Sequence, residues 1–166
     1  MMTATVETPV GRLRIRTSER GVCEVRFRAR KPIAMLQARG GRDDEDRDAD
    51  RRALGYLRRA CDQLGEYFAG TRTRFDVPVD LPAATAFERA VWRACERIPF
   101  GETRSYGELA AAAGRPRAAR AVGNAMNANR VPILVPCHRV IRADGGLGGF
   151  GSGVALKRKL LALERR

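Results

Sequence analysis

The stretch SYGELAAAAGRPRAARAVGNAMN, residues 105–127, decides the fold of this chain. Ser105 and Glu108 have the spacing of a capping box, which predicts a helix that starts here and ends at Gly114. Pro116 suits the entry of a second helix, which we predict to fill the rest of the stretch. Two short helices joined by a tight turn are typical of a helix-turn-helix unit.

The second helix has two unlike faces. Its inward face is small and apolar and consists of Ala118, Val122, Ala125 and Met126. Its outward face is basic or amide-bearing with small residues beside it, namely Arg117, Arg120, Asn124, Asn127, Ala119 and Gly123. Between residues 103 and 142 lie seven arginines and one acid, Glu108. This face suits close approach to a phosphate backbone, and a solvated face without a partner is the alternative that remains open.

The charge of the whole chain points the same way. Its 166 residues carry 32 Lys and Arg against 19 Asp and Glu, for a net charge of +13. Such an excess favours a polyanionic partner. An arginine bias inherited from a GC-rich genome is the competing explanation, so charge alone does not decide between them.

The first half of the chain predicts a small α/β domain. Residues 9–28 alternate apolar and polar side chains around a turn at 18–21, which predicts a β-hairpin. Residues 40–52 are acidic and polar and predict a loop, part of it disordered. Residues 52–69 place apolar side chains at helical spacing and predict a helix.

A proline-bearing connector over residues 71–84 predicts a domain boundary. We therefore predict an N-terminal domain over 1–79 and a mostly helical domain over 80–166. Thr85 opens a second capping box and a helix, and a last helix is predicted over about 154–164. The fold class is α+β.

Other features exclude several classes of protein. No apolar stretch approaches the roughly 20 residues that cross a bilayer, and the N-terminus lacks the pattern of a signal peptide, so we expect a cytoplasmic protein without membrane contact. The four cysteines show no close pair, and His138 is the only histidine, so we expect reduced thiols and no metal. The glycine-rich residues 145–153 lack the βαβ context of a dinucleotide site, so we expect no nucleotide cofactor.

One cysteine stands apart from the other three. Residues 131–141, VPILVPCHRVI, are apolar with two prolines and predict buried extended chain that carries Cys137 directly before His138. A thiol reacts as the thiolate, which a base and nearby positive charge favour. Neighbouring side chains of an extended chain point in opposite directions, so the pair needs a bridging water or a local turn. A buried structural cysteine is the alternative that these residues leave open.

Four segments together carry a resemblance to a known family. They are the run PCHRVI at 136–141, IPFGETRSY at 98–106, AARAVG at 118–123 with Asn129, and the closing 157–164. In this order and spacing they resemble the O6-alkylguanine-DNA alkyltransferases nearly continuously from Phe87 onward. The first half of the chain resembles the family's small, ribonuclease H-like α/β domain in outline only. The resemblance implies a winged helix-turn-helix domain in the second half.

The resemblance implies an alkyl-acceptor site. Cys137 would attack the alkyl carbon once, without regeneration, and His138 would deprotonate it through a water. Glu164 would orient His138, and Asn129 would brace the turn before the reactive segment. Tyr106 would rotate the target phosphate and hydrogen-bond the flipped base.

The same resemblance implies double-stranded DNA with alkylated bases as the partner. Arg120 would fill the space that the flipped base leaves, with the helix in the minor groove. The remaining residues implied at the DNA are Ala118, Ala119, Gly123, Arg117 and Asn127. The base pocket would comprise Met126, Val140, Gly151 and Phe150. O6-alkylguanine and O4-methylthymine are the implied substrates, and the expected state is a monomer whose cooperativity on DNA stays open.

Three positions depart from the family's pattern. Phe150 stands where many members have Tyr and removes a hydroxyl, and Arg130 stands where Pro is common. Cys23 falls where some relatives have a zinc ligand but has no histidine partners. Two other functions remain as alternatives, a non-enzymatic binder of alkylated DNA and a helix-turn-helix regulator, and the thiol at Cys137 argues against the first.

Overall fold

The computed structural model describes residues 1–29 and 44–165. The chain forms two compact units, Met1–Leu81 and Pro82–Arg166. The first contains a small antiparallel sheet and one long helix, and the second is mostly helical. The mixed α+β class predicted from the sequence is confirmed.

The sheet of the first unit has three antiparallel strands, β1 (Met2–Val6), β2 (Leu13–Ser18) and β3 (Gly21–Phe27), in the order β1-β2-β3. Strands β2 and β3 are the predicted hairpin, with Ser18 paired to Gly21 at its turn. The sequence analysis missed β1, which pairs with β2 along its whole length.

A single helix, α1 (Asp44–Ala69), covers this sheet. The predicted loop at 40–52 is therefore wrong over residues 44–52, and residues 40–43 lie outside the described part of the chain. Acidic side chains in the first turn interact favourably with the helix dipole, and Arg47 pairs with Asp44 one turn away. These local terms favour a helix even though the segment buries little apolar surface. The predicted end at Gly70 is confirmed, with a φ of 78° that suits glycine.

The second unit consists of short elements around the segment that carries Cys137. They are α2 (Ala86–Glu96), β4 (Arg104–Ser105), α3 (Tyr106–Ala112), α4 (Ala119–Asn127), β5 (Val140–Ile141) and α5 (Val154–Glu164). Strands β4 and β5 pair in parallel, so the start of α3 lies beside the end of the reactive segment. Both predicted capping boxes, at Thr85 and at Ser105, are present.

The second helix of the predicted helix-turn-helix begins later than expected. Residues 115–117 form a turn, and α4 starts at Ala119 rather than at Pro116. Ala118 is the N-cap and its side chain makes no capping hydrogen bond. Arg117 therefore lies in the turn before the helix. Within the described residues, no helix is long and apolar enough to cross a membrane.

Candidate active site

Cys137 lies in a short 3-10 turn formed by Cys137–Arg139, not in extended chain. The prediction of extended chain is wrong at this point because the prolines at 132 and 136 interrupt the strand and the amide of Arg139 bonds to the carbonyl of Pro136. A turn changes the directions of neighbouring side chains, so the opposite orientation expected for a strand does not apply here. The thiol is buried, with 7% of the residue exposed.

The His138 imidazole is fully buried and pairs with a carboxylate from the last helix. Its Nε2 lies 2.7 Å from Oε1 of Glu164, whose side chain is 1% exposed. An ionised carboxylate only accepts hydrogen bonds, so Nε2 carries a proton and Nδ1 is the accepting nitrogen. Nδ1 has no hydrogen-bond partner among the residues that the structure describes.

A second side chain, that of Arg139, binds the same carboxylate. Its Nε donates to Oε2 of Glu164 at 2.8 Å and its Nη2 donates to Oε1 at 3.0 Å. Its Nη1 donates to the carbonyl of Ile98 at 2.7 Å. The amide of Gly101 also donates to Glu164, at 3.2 Å. Gly101 has a φ of 81°, and a Cβ there would lie 2.9 Å from the backbone oxygen of Glu164, so this close approach requires glycine.

Asn129 joins the end of α4 to the reactive segment. Its Nδ2 donates to the carbonyl of Val135 at 3.0 Å, and its Oδ1 accepts from the amide of Val131 at 3.0 Å. The same side chain is near enough to the thiol of Cys137 to lower its pKa. These hydrogen bonds link Asn129 to the turn that the resemblance gave it to brace, and that role stays a prediction.

Lys157 is a buried cation that the sequence analysis did not single out. The residue has no exposed surface, and its Nζ donates to the carbonyl of Val140 at 2.6 Å and to that of Gly149 at 3.3 Å. The ammonium lies 5.9 Å from the centre of the Tyr106 ring. It joins the reactive segment to the glycine-rich loop, and burial lowers the pKa of this amine.

The environment sets the protonation state of each group. Burial raises the pKa of the Cys137 thiol to about 11, and it outweighs the Asn129 hydrogen bond and the Lys157 charge. Burial also lowers the pKa of His138, although Glu164 acts in the opposite direction. For Glu164, burial alone would raise the pKa, but hydrogen bonds from His138 and Arg139 lower it to about 2. At neutral pH the site holds a thiol, a neutral imidazole and a carboxylate.

An open cleft of about 390 Å³ leads to this thiol. Its lining contains Cys137, the brace residue and most of the residues that the resemblance implies for the base pocket. The lining residues are Tyr106, Met126, Asn127, Asn129, Pro132, Cys137, Gly149, Phe150, Gly151 and Ser152. Val140 does not line the cleft, because its side chain is buried and its carbonyl accepts from Lys157. The sequence analysis missed three lining residues, Pro132, Gly149 and Ser152. Their closeness in sequence to Cys137 and Gly151 was the only feature that could have indicated them.

Tyr106 forms one wall of the cleft as the first residue of α3. Half-burial raises the pKa of its hydroxyl, and Cys137 adds to the effect. Gly148 passes against this ring with a φ of 68°, and a Cβ there would lie 3.0 Å from the Tyr106 hydroxyl. The glycine-rich loop therefore needs glycine at this position to reach Tyr106.

The basic side chains predicted for the outward face of α4 are exposed. Arg117 and Arg120 are open to solvent, whereas Ala118, Ala119 and Gly123 are half-buried. Val122, Ala125 and Met126 are buried, as predicted for the inward face. Arg130 is exposed beside the brace residue Asn129.

No group of three or more His, Cys, Asp or Glu side chains that would suit a metal ion lies within residues 1–29 and 44–165. All four cysteines are free thiols. Burial raises the pKa of Cys61 to about 11 and that of Cys95 well above its usual range. Cys137 is the thiol that lines the cleft.

This arrangement defines a protein with a buried thiol at an open cleft and a basic helical surface in the same unit, and comparisons with known proteins identify the family. Residues 1–81 match the family described as 6-O-methylguanine DNA methyltransferase, ribonuclease-like domain. Residues 86–166 match 6-O-methylguanine DNA methyltransferase, DNA binding domain. The chain belongs to the 6-O-methylguanine DNA methyltransferase family.

Individual relatives agree with this result. A methylated-DNA--protein-cysteine methyltransferase of Methanosarcina acetivorans is 42% identical over 164 residues, which cover 99% of this chain and 98% of the relative. The protein of the same name from Mycolicibacterium paratuberculosis is 58% identical over 107 residues. That match covers 64% of this chain and 64% of the length of the relative.

Solved structures share the fold. The crystal structure of Mycobacterium tuberculosis OGT in complex with DNA is 42% identical, has a TM-score of 0.77, and is matched over 97% of this chain and 91% of that chain. The O6-methylguanine-DNA methyltransferase of Pyrococcus kodakaraensis is matched over 99% of both chains with a TM-score of 0.55. At 23% identity, the second comparison bears on the fold alone.

Proposed function

We propose that this chain repairs alkylated DNA by moving the alkyl group from O6 of guanine to Sγ of Cys137. The observation that carries the proposal is a thiol that lines an open cleft and is followed in the chain by a buried imidazole whose accepting nitrogen is unpartnered in the described residues. The relatives are named for the same reaction, the transfer of a methyl group from DNA to a protein cysteine.

The first step is activation of the thiol. With a pKa of about 11, Cys137 is almost entirely protonated at neutral pH and needs a base. His138 supplies that base through Nδ1, and one bridging water carries the proton from Sγ. Glu164 accepts from Nε2, so it fixes the tautomer and stabilises the imidazolium that forms.

The second step is an in-line displacement at the alkyl carbon. The bond from Sγ to carbon forms as the bond from carbon to O6 breaks, and the electron pair stays on the guanine. The guanine ring then takes up one proton, so the products are neutral guanine and a thioether on Cys137. A thioether is a poor leaving group, so each molecule acts once.

The substrate base must leave the helix to reach the thiol, because a base edge inside a duplex is out of range. Arg120 fills the vacated position, and Tyr106 turns the phosphate and hydrogen-bonds the flipped base. Arg117, Ala118, Ala119, Gly123 and Asn127 contact the minor groove. Small residues on α4 allow close approach to the backbone, and the exposed arginines neutralise phosphates.

The flipped base occupies the cleft between Tyr106, Met126 and Phe150. The carbonyl of Cys137 and the amide of Gly151 read its edge, whereas the carbonyl of Val140, which the resemblance also implied here, is bound by Lys157. Asn129 holds the reactive turn in place through its bonds to Val131 and Val135. O4-methylthymine carries its alkyl group on a similar exocyclic oxygen, and we include it as a second substrate.

The test is an intact-mass measurement after incubation with duplex DNA that contains O6-methylguanine. We expect a mass gain of one CH2, because a thiol hydrogen is replaced by a methyl group. Cys137→Ala should abolish the gain, and the control Cys61→Ala should retain it. Tight binding to the lesion without a mass change would overturn the enzyme in favour of a lesion binder, and the absence of both would favour a regulator.

A further inference from the structure

The buried carboxylate of Glu164 accepts hydrogen bonds from two side chains of different kinds. One donor is the imidazole of His138, which titrates, and the other is the guanidinium of Arg139. Both donate to the same oxygen, Oε1, at 2.7 Å and 3.0 Å. The proposed reaction needs His138 neutral, so the balance of charge around Glu164 decides whether the base is available.

The charges in this cluster balance only because Arg139 is present. Arg139 and Glu164 form a bidentate pair with a net charge of zero, and both are almost fully buried. Without the guanidinium, Glu164 would be a buried anion with a titratable imidazole 2.7 Å away. An isolated buried charge is strongly disfavoured, so the pair of Glu164 and His138 would then take up a proton, and the imidazole would hold it because its ordinary pKa is higher than that of a carboxyl group.

The other charged groups near His138 do not replace Arg139. Lys157 lies on α5 and its ammonium is bonded to the carbonyls of Val140 and Gly149 rather than to Glu164. Its charge and that of Arg139 both oppose protonation of His138, whereas the charge of Glu164 favours it. The Cys137 thiol, which precedes His138 in the chain, also titrates, and it is neutral at pH 7.

We propose that Arg139 is a positioning residue that keeps Glu164 ionised and bound, and thereby keeps His138 a neutral base with its proton on Nε2. The guanidinium balances the negative charge of the carboxylate. The imidazole can therefore be oriented by its hydrogen bond to Glu164 without taking up a proton. This inference rests on the proposed function for its purpose, because only a thiol that needs a base requires a neutral His138.

The chain offers a direct test, since His138 is its only histidine. Nitrogen-15 NMR of histidine-labelled full-length protein reports both the tautomer and the protonation of this one imidazole. In the wild type we expect a neutral ring at pH 7 with the proton on Nε2. A protonated ring at pH 7, or a proton on Nδ1 instead, would overturn the proposal without any variant.

Arg139→Gln removes the charge but keeps a hydrogen-bond donor, so we expect His138 to become protonated at higher pH than in the wild type. Arg139→Lys restores one positive charge beside Glu164 and should return the titration toward that of the wild type. Arg93→Gln is the matched control, because it removes an exposed arginine from α2 of the same unit. A titration of Arg139→Gln that equals that of the wild type would contradict the proposal.

A kinetic measurement separates this role from simple support of the fold. With a free benzylated guanine base as substrate, we compare the rate at pH 6 with the rate at pH 8. This ratio should be about tenfold lower in Arg139→Gln than in the wild type, because a nearby charge changes the pKa of a neighbouring group by about one or more. A purely structural role would lower both rates together. The NMR result does not require alkyl transfer, so failure of the methyl-transfer test and failure of this inference are distinguishable.

Discussion

At the scale of single residues, Glu164 connects the chemistry of the site to the stability of the fold. Its pKa of about 2 lies below the ordinary value of 4.5, so ionisation of this carboxyl group is more favourable in the folded state than in the unfolded state. A lowered carboxylate pKa contributes stability above pH 4.5 that is lost as the pH falls toward 2. The ionised form is also the one that orients His138.

Glu164→Gln should lower the free energy of unfolding by about 3–5 kcal/mol at pH 7, because it leaves the buried charge of Arg139 without its partner. The deficit should shrink as the pH falls below 4.5, since the wild-type carboxylate then begins to take up its proton. Urea unfolding from pH 7 to pH 3 measures it. Glu102→Gln removes an exposed carboxylate and should cost less than about 0.5 kcal/mol. A deficit independent of pH would contradict the assignment.

Arg120→Ala tests the residue proposed to fill the vacated space in the DNA. We expect repair of duplex DNA to slow by roughly ten- to a hundredfold, because Arg120 would no longer stabilise the state with the flipped base, by about one to a few kcal/mol. Reaction with a free benzylated base should change little, because no duplex has to open. Arg93→Ala is the control for loss of an exposed arginine. Equal losses with both substrates would refute this role.

The sequence singles out the candidate nucleophile, but it does not single out all of the charged groups around it. Cys137, His138 and Glu164 follow from the resemblance, and the structure brings them together. Arg139 and Lys157 are different, because charged side chains lie on the surface by default and a basic residue in a basic protein gives no signal of burial. Only the packed structure shows that both are enclosed and hydrogen-bonded to carbonyls.

At the scale of elements, helices and caps that depend on local sequence patterns were predicted correctly. The helix at 154–164 and the two capping boxes were correct, because each depends on neighbours within one or two turns. The start of α1 was wrong, since dipole and ion-pair terms outweighed the lack of apolar residues. Strand β1 was missed because its pairing with β2 is set by tertiary contacts.

Two neighbouring glycines of the glycine-rich loop differ in their surroundings, because Gly148 lies against Tyr106 and Gly149 has open space around it. Gly148→Ala should cost about 1–2 kcal/mol of unfolding free energy, because its positive φ strains an L-residue and its Cβ would press on Tyr106. Gly149→Ala is the control, since a Cβ there meets nothing within 4 Å. Chemical denaturation of both variants measures the difference. Equal stabilities would mean that the loop does not depend on Gly148 for its approach to Tyr106.

At the scale of the whole molecule, the net charge of +13 does not by itself locate a DNA-binding surface. Of the seven arginines between residues 103 and 142, Arg139 is buried against Glu164 and the other six are exposed. Two of those six, Arg104 and Arg142, pair with nearby acids. The side chains left for phosphate contacts are therefore fewer than composition suggests, and they include Arg117 and Arg120.

The salt dependence of DNA binding distinguishes a local surface from the charge of the whole chain. Each phosphate contact releases a counterion, so affinity should fall steeply as salt rises. Arg117→Ala should reduce the slope of log K against log salt by about 1. Arg58→Ala removes an equal charge from exposed α1 and should leave the slope unchanged, which fluorescence anisotropy on a labelled duplex measures. Equal changes in both variants would mean that net charge attracts DNA without a defined surface, and a flat salt response would exclude the basic surface altogether.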